Sequence, residues 1–213
     1  MRSSTHDEGA PAAPASRTGL AGAWDSFVGP GQTRVERWGT VTAVAAAAVA
    51  GDRALGDDAT PRHRVALRLA AVDLWGGAWV NNTRACVRWY ERPGQGPGSH
   101  AAFAALHIAH AATIAGVDTA TRSRSAGSAL TWTLAHFTFM LGASTLVAFS
   151  PRRRRLPLAL GASLAGLALD RSLGPSASAP WFAPIYYTKL LVGHAAGSIW
   201  NAGPVRRGNA ITP

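Results

Sequence analysis

Cysteine and lysine occur once each, as Cys86 and Lys189, in a chain of 213 residues. A single cysteine excludes an internal disulfide framework and any thiolate-based zinc or iron–sulfur centre. Charge is scarce too, at 15% of residues, whereas a soluble domain carries about 25%. Apart from Lys189 the 21 basic residues are all arginine, a bias of the kind a GC-rich bacterial genome produces. Known catalytic signatures are missing. No Ser-centred nucleophile elbow occurs, and Gly94-Gln-Gly-Pro-Gly98 has neither a following lysine nor a preceding strand to make a phosphate cradle. No internal repeat supports an inverted-repeat transporter.

What is present is apolar sequence in long intervals. Six of them, roughly 36 to 55, 65 to 83, 101 to 117, 127 to 149, 156 to 173 and 181 to 200, are bounded by Gly, Pro or Arg. Each approaches the ~20 residues that cross a hydrocarbon core of ~30 Å. The fourth has no acid or base except His136. The first is the weakest, because Asp52 and Arg53 interrupt it, so five spans with a surface-lying first helix is the fallback. The third to fifth intervals lack the sustained polar face of a water-exposed helix. The expectation is an all-α, polytopic transmembrane bundle of six spans.

Residues 1 to 34 mix Ala, Pro, Ser, Gly and scattered charge without apolar periodicity, and read as a disordered tail. Asp7, Glu8, Pro11 and Pro14 interrupt any signal-peptide core there. The membrane domain covers 35 to 203, and 204 to 213 form a short C-terminal tail. Six spans place Arg34, Arg37, Arg84, Arg88, Arg92, the run Arg152 to Arg155, Arg206 and Arg207 on one side. By the positive-inside rule both termini face the cytoplasm, in the inner membrane of a bacterium. The +10 formal charge then marks topology and anionic-leaflet contact, with the bilayer rather than nucleic acid as the partner.

Ionisable groups inside spans cost roughly 2.5–3.5 kcal/mol each when central, so they mark candidate sites. At ~1.5 Å rise per residue, Asp73, His107, His110, His136 and Lys189 all fall near the middle third of the membrane, and His194 lies one turn nearer the cytoplasm. The convergence favours one shared polar site. At ~100° per residue, Asp73, Gly77, Val80 and Arg84 share a stripe of their helix, opposite Trp75 and Trp79. His100, His107 and His110 build a histidine-bearing face, with Phe103 one turn before His107.

Three chemistries fit these residue types. Asp73 with a histidine or Lys189 can relay or donate protons. His107 and His110, with His136 as a third nitrogen and Asp73 as an oxygen, could hold a divalent metal such as zinc, copper or iron. Alternatively each polar group only satisfies a neighbouring helix. Among the eight tryptophans, Trp38, Trp89, Trp181 and Trp200 fall near span ends, as interfacial residues do. Trp75, Trp79 and Trp132 lie deeper and could line an apolar pocket, stabilising a carbocation by cation–π contact.

The stretch from Asp73-Leu-Trp-Gly-Gly through Asn81-Asn82 and Trp89-Tyr90 to His100 and His107 resembles a group of small polytopic bacterial membrane proteins of unassigned activity. That resemblance covers about 40 residues and implies that the Asp, paired Gly, Asn and His form one recurring arrangement. In size, deep tryptophans and buried acid, the chain is also loosely similar, by type and not by motif, to small integral-membrane terpene cyclases. Together these readings lead to a membrane-embedded enzyme acting by acid–base chemistry on an apolar, isoprenoid-like small molecule. Asp73, His107, His110, His136 and Lys189 would carry the chemistry, and Trp75, Trp79, Asn81, Trp132 and His194 would hold the substrate, with no obligatory cofactor. The alternatives are a proton- or metal-linked transporter using the same residues, and a non-catalytic accessory subunit.

Overall fold

A computed structural model describes residues 17 to 92 and 94 to 199, and these are all-helical, without strands. The helices are α1 (Gly19–Val28), α2 (Arg34–Ala50), α3 (Pro61–Val80), α4 (Arg84–Tyr90), α5 (Pro97–Ala105), α6 (Ile108–Ala120), α7 (Ala126–Phe149), α8 (Arg152–Leu173) and α9 (Phe182–Tyr187). The last continues directly as a π-helix, Thr188–Ala195. Local chemistry sets the starts. Thr33 and Glu36 close a reciprocal capping box at α2, and Thr60 does the same with His63 at α3, where Pro61 occupies the first turn. Ser125 caps α7, accepting from the Ser128 N–H.

Three helical stretches are long and apolar enough to cross a membrane: Pro97–Ala120, Ala126–Phe149 and Arg152–Leu173. The other three apolar intervals fall short for different reasons. α2 has 17 residues, and α3 carries Arg62, Arg64, Arg68 and Asp73 within its 20. The final interval is helical from Phe182 to Ala195, at most about 21 Å at 1.5 Å per residue. It is also not an outer helix. Every side chain from Lys189 to Ala195 is buried, because α3, α5, α7 and α8 pack around the segment.

One expectation is corrected. Part of the stretch read as a disordered tail is helix α1, with Leu20, Trp24 and Phe27 exposed on one side and Gly22, Asp25 and Val28 buried on the other. Its apolar residues recur at helical spacing inside an Ala/Gly/Ser-rich composition, so composition hid the period. Asp25 is gripped by Arg17 at 2.7 Å, which holds its carboxyl down to about 2 through hydrogen bonds to the Arg17 side chain and N–H. Residues 1 to 16 and the C-terminal tail from 204 lie outside the described residues.

Large apolar side chains face outward as well as inward. Leu69, Leu106, Leu146 and Leu164 are 60–73% exposed, while Asp73, His107, His136 and Lys189 point inward. That is the distribution a hydrocarbon solvent selects. The core gathers on the C-terminal segment, where Phe182 and Tyr186 stack with centroids 4.6 Å apart and Trp132 of α7 meets Phe182 at 4.8 Å. Gly166 of α8 is what admits Tyr187, since a Cβ there would collide with the tyrosine ring. The loop feeding α9 is fastened by Asp118, whose Oδ1 accepts from the Ser178 N–H (3.0 Å), the Ser178 hydroxyl (2.6 Å) and the Ser176 hydroxyl (3.1 Å). Arg124 donates to the Gly174 carbonyl at 2.7 Å. The buried C-terminal segment is thereby held in depth as well as in rotation.

Candidate functional site

The site is built from three pieces of chain. α3 supplies Asp73, the junction of α5 and α6 supplies His107 and His110, and the π-helix supplies Lys189. The apolar stretch Pro97–Ala120 breaks at His107, whose backbone (φ −79°, ψ 2°) leaves the α conformation. The π-helix also departs from regular geometry, with the Ala196 N–H reaching back to the Leu191 carbonyl at 2.9 Å. Irregular helix inside an apolar bundle is tolerated where it faces protein or a cavity, and π segments concentrate at functional sites.

Asp73 Oδ2 is the point on which the others converge. The Lys189 ammonium pairs with it and also donates to the Asp73 backbone carbonyl at 3.2 Å. His110 Nε2 lies 2.8 Å from the same oxygen and His107 Nε2 3.7 Å. His107 Nδ1 is 2.9 Å from the Phe103 carbonyl. A carbonyl only accepts, so Nδ1 carries a proton and Nε2 is the nitrogen that faces Asp73. That nitrogen is buried and has no hydrogen-bond partner. The His107 and His110 rings stack at 5.0 Å.

Glycine and asparagine make room for this cluster. A Cβ at Gly77 would collide with the Cδ–Nζ end of Lys189, so glycine here gives the side chain room beside Asp73. Asn81, one turn on, donates to the Lys189 backbone carbonyl at 3.3 Å and fixes the register of the π-helix against α3. Beside the cluster is a cavity of about 250 Å³. Asp73, Asn81, His107, His110 and Lys189 form its polar end, and Phe27, Val80, Tyr90, Phe103 and Leu106 its apolar wall.

Two residues expected at this site belong elsewhere. His136 is fully buried between α7, α8 and α9. Its Nδ1 lies 2.7 Å from the Tyr187 hydroxyl, its Nε2 lies 3.3 Å from Asp170, and its ring is 4.3 Å from Trp132. It therefore does not supply a third nitrogen beside His107 and His110. His194 Nε2 pairs with His100 Nδ1 at 3.1 Å, and His100 in turn faces Glu91 at 3.9 Å. Phe103 separates that pair from His107, its ring 4.0 Å from His194 and 4.8 Å from His107. A water-sized void lies against His100, His194, Asn81 and Cys86.

None of the three deep tryptophans lines the cavity. Trp75 meets Trp181 edge-on at 5.8 Å, Trp79 donates its indole N–H to the Glu36 carbonyl at 3.0 Å, and Trp132 packs on His136 and Phe182. The aromatic wall is instead Phe27, Tyr90 and Phe103. Phe103 was legible from its helical position before His107. Phe27 was not, because nothing in the sequence ties α1 to the mouth of this cavity.

Asp73, His107 and His110 each offer a ligand atom, and these atoms lie within 4.8 Å of one another, close enough to hold a metal ion. The tethered His107 tautomer suits a ligand. The Lys189 ammonium does not, since it already neutralises the shared carboxylate oxygen and would repel a divalent cation in a low-dielectric site. Comparison with protein-family models, with curated proteins and with solved structures finds no match to this chain.

Proposed function

We propose that this protein is a multi-pass membrane enzyme that carries out acid–base chemistry on the end of an apolar small molecule. One observation carries the reading: four ionisable side chains from three helical segments meet at one end of an otherwise apolar cavity. Purely structural polar contacts between helices need no cavity. In this reading His107 Nε2 is the base that removes a substrate proton, the Phe103 carbonyl orients its ring through Nδ1, and Asp73 balances the charge. His110 stabilises the oxyanion or enolate that forms, and Lys189 holds the charge of Asp73. Asp73, paired with an ammonium and an imidazole N–H, acts as an acceptor here rather than as the proton-donating acid. The same ammonium would destabilise a carbocation, which favours proton abstraction over cation-driven cyclisation. The cavity, at about 250 Å³, is small, so an isoprenoid or acyl chain would enter by one end.

The apolar outer surface and three spanning-length helices support residence in a bilayer. We place the chain in the cytoplasmic membrane with six passages, Arg152 to Arg155 on the inner side and both termini cytoplasmic. The last passage is the short segment that α3, α5, α7 and α8 shield from lipid. A proton-linked transporter would use the same Asp73 and His107, with the cavity as its carrier site.

The test uses purified protein in vesicles of bacterial lipid extract, with mass spectrometry of all lipid-soluble species over time. Wild type is expected to consume one species and form one product, and Asp73→Asn and His107→Ala to slow this by about 10²–10⁴-fold, the usual worth of a general base. Unchanged turnover in both variants would contradict the assignment. An extract left untouched by wild type, with a proton-driven solute flux in its place, would select the transporter. Stoichiometric metal in the purified protein would overturn the metal-free chemistry.

A further inference from the structure

We propose that Lys189 is a nucleophile that binds a carbonyl-bearing apolar molecule covalently, as an imine. This rests on the reading of the cavity as a substrate site and names the substrate class, an aliphatic aldehyde or ketone. The first observation is compositional. Arginine fills every other basic position of the chain, and the single lysine stands at the wall of the apolar cavity. A guanidinium stays protonated and cannot attack carbon, whereas an ammonium can yield its proton and become a nucleophile. A position required only to pair with Asp73 needs no such exception.

The second observation is geometric. Gly77 clears the path of the side chain, and Asp73 Oδ2 contacts the Nζ that must lose a proton. The bare His107 Nε2 lies 3.7 Å from the same oxygen, placed to pass that proton onward. Phe103, its centroid 5.9 Å from Nζ, forms an apolar wall for the carbonyl's alkyl side.

The step balances without any redox partner. The ammonium gives one proton to Asp73, and the neutral amine attacks the carbonyl carbon, forming the C–N bond of a carbinolamine. Protons returned through Asp73 and His107 convert the hydroxyl to water, which leaves as the C=N bond forms. Aldehyde plus ammonium thus gives protonated imine plus water, and Asp73 ends as the carboxylate counter-ion. A carbonyl compound held in this way is acidified at its adjacent carbon, which is the proton abstraction His107 is placed to perform.

The experiment uses the full chain in detergent micelles with heptanal, a short aliphatic aldehyde, and a neutral amine–borane that reduces imines to stable amines. Lys189 is the only side-chain amine in the sequence, so peptide mapping reads one site. The native protein is expected to gain the heptyl group on Lys189 at least 10-fold faster than the same chain denatured at the same pH. Lys189→Arg should abolish that modification, and His107→Ala should slow it with the fold intact by circular dichroism. Labelling of the native chain at or below the denatured rate would overturn the proposal, since a merely structural buried lysine is protected. Such a failure, with Asp73-dependent lipid turnover retained, would leave the acid–base reading standing and remove only the covalent step.

Discussion

Asp73→Leu is expected to destabilise the folded protein by about 3 kcal/mol, and adding Lys189→Met is expected to recover most of the loss. Lys189 is 3% exposed at its side chain, and without Asp73 its ammonium keeps only the backbone carbonyl of residue 73. Breaking a buried ion pair from one side costs about 3–5 kcal/mol, while replacing both partners with apolar groups is often neutral or favourable. The lower end applies because the Asp73 carboxylate is 34% exposed, toward the cavity, and its loss frees His110 and His107 to take solvent. Methionine keeps the unbranched stem that Gly77 accommodates. At roughly 2–4 °C per kcal/mol for a chain of this size, the single variant should melt about 6–12 °C lower in detergent. Additive losses in the double variant would mean that the two side chains do not form the pair.

Trp132→Ala is expected to cost about 3–5 kcal/mol, the range for deleting a fully buried large aromatic. Trp132 is 0% exposed and touches both His136 and Phe182, so its removal opens a hole where α7 meets the C-terminal segment. The contrast is Leu164→Ala, at a side chain 68% exposed, for which about 0.5 kcal/mol or less is expected. Unfolding by denaturant in detergent distinguishes the two. Similar losses at both positions would mean that the C-terminal segment is not the core. Because Trp132 lies in the His136 cluster, its loss should lower stability without changing the chemistry at Asp73.

How much of this was legible in the sequence depended on which coordinate of the bundle a residue type reports. Length and apolarity report depth and extent, so α7 and α8 were readable as spanning helices and Asp73, His107, His110 and Lys189 as one buried level. Depth does not report position around the bundle axis. His136 lies at a similar level, yet α7 turns it toward Asp170 and Tyr187, away from α3 and α6. The same blindness made Trp75, Trp79 and Trp132 look like cavity lining. Helical rotation already placed Trp75 and Trp79 opposite Asp73, and in the structure each indole ends on Trp181 or on the Glu36 carbonyl. The break at His107 and the π-helix at Lys189 accompany contacts made in the folded chain, and no propensity signals them. Gly77 was readable as a member of the Asp73 stripe and Asn81 as a candidate substrate-holding residue, but their work, clearing a path for Lys189 and pinning its backbone, needed the partner helix to be seen.

The central claim is that Asp73, His107, His110 and Lys189 form one electrostatic unit from which His136 is separate. Nitrogen-15 NMR of histidine-labelled protein tests it most directly, by comparing wild type with Asp73→Asn. Removing the carboxylate charge is expected to shift the ring resonances of His110 and His107, with His107 protonated on Nδ1 in the wild type, and to leave those of His136 in place. A His136 that moves together with them, or a His110 that does not move at all, would contradict the account.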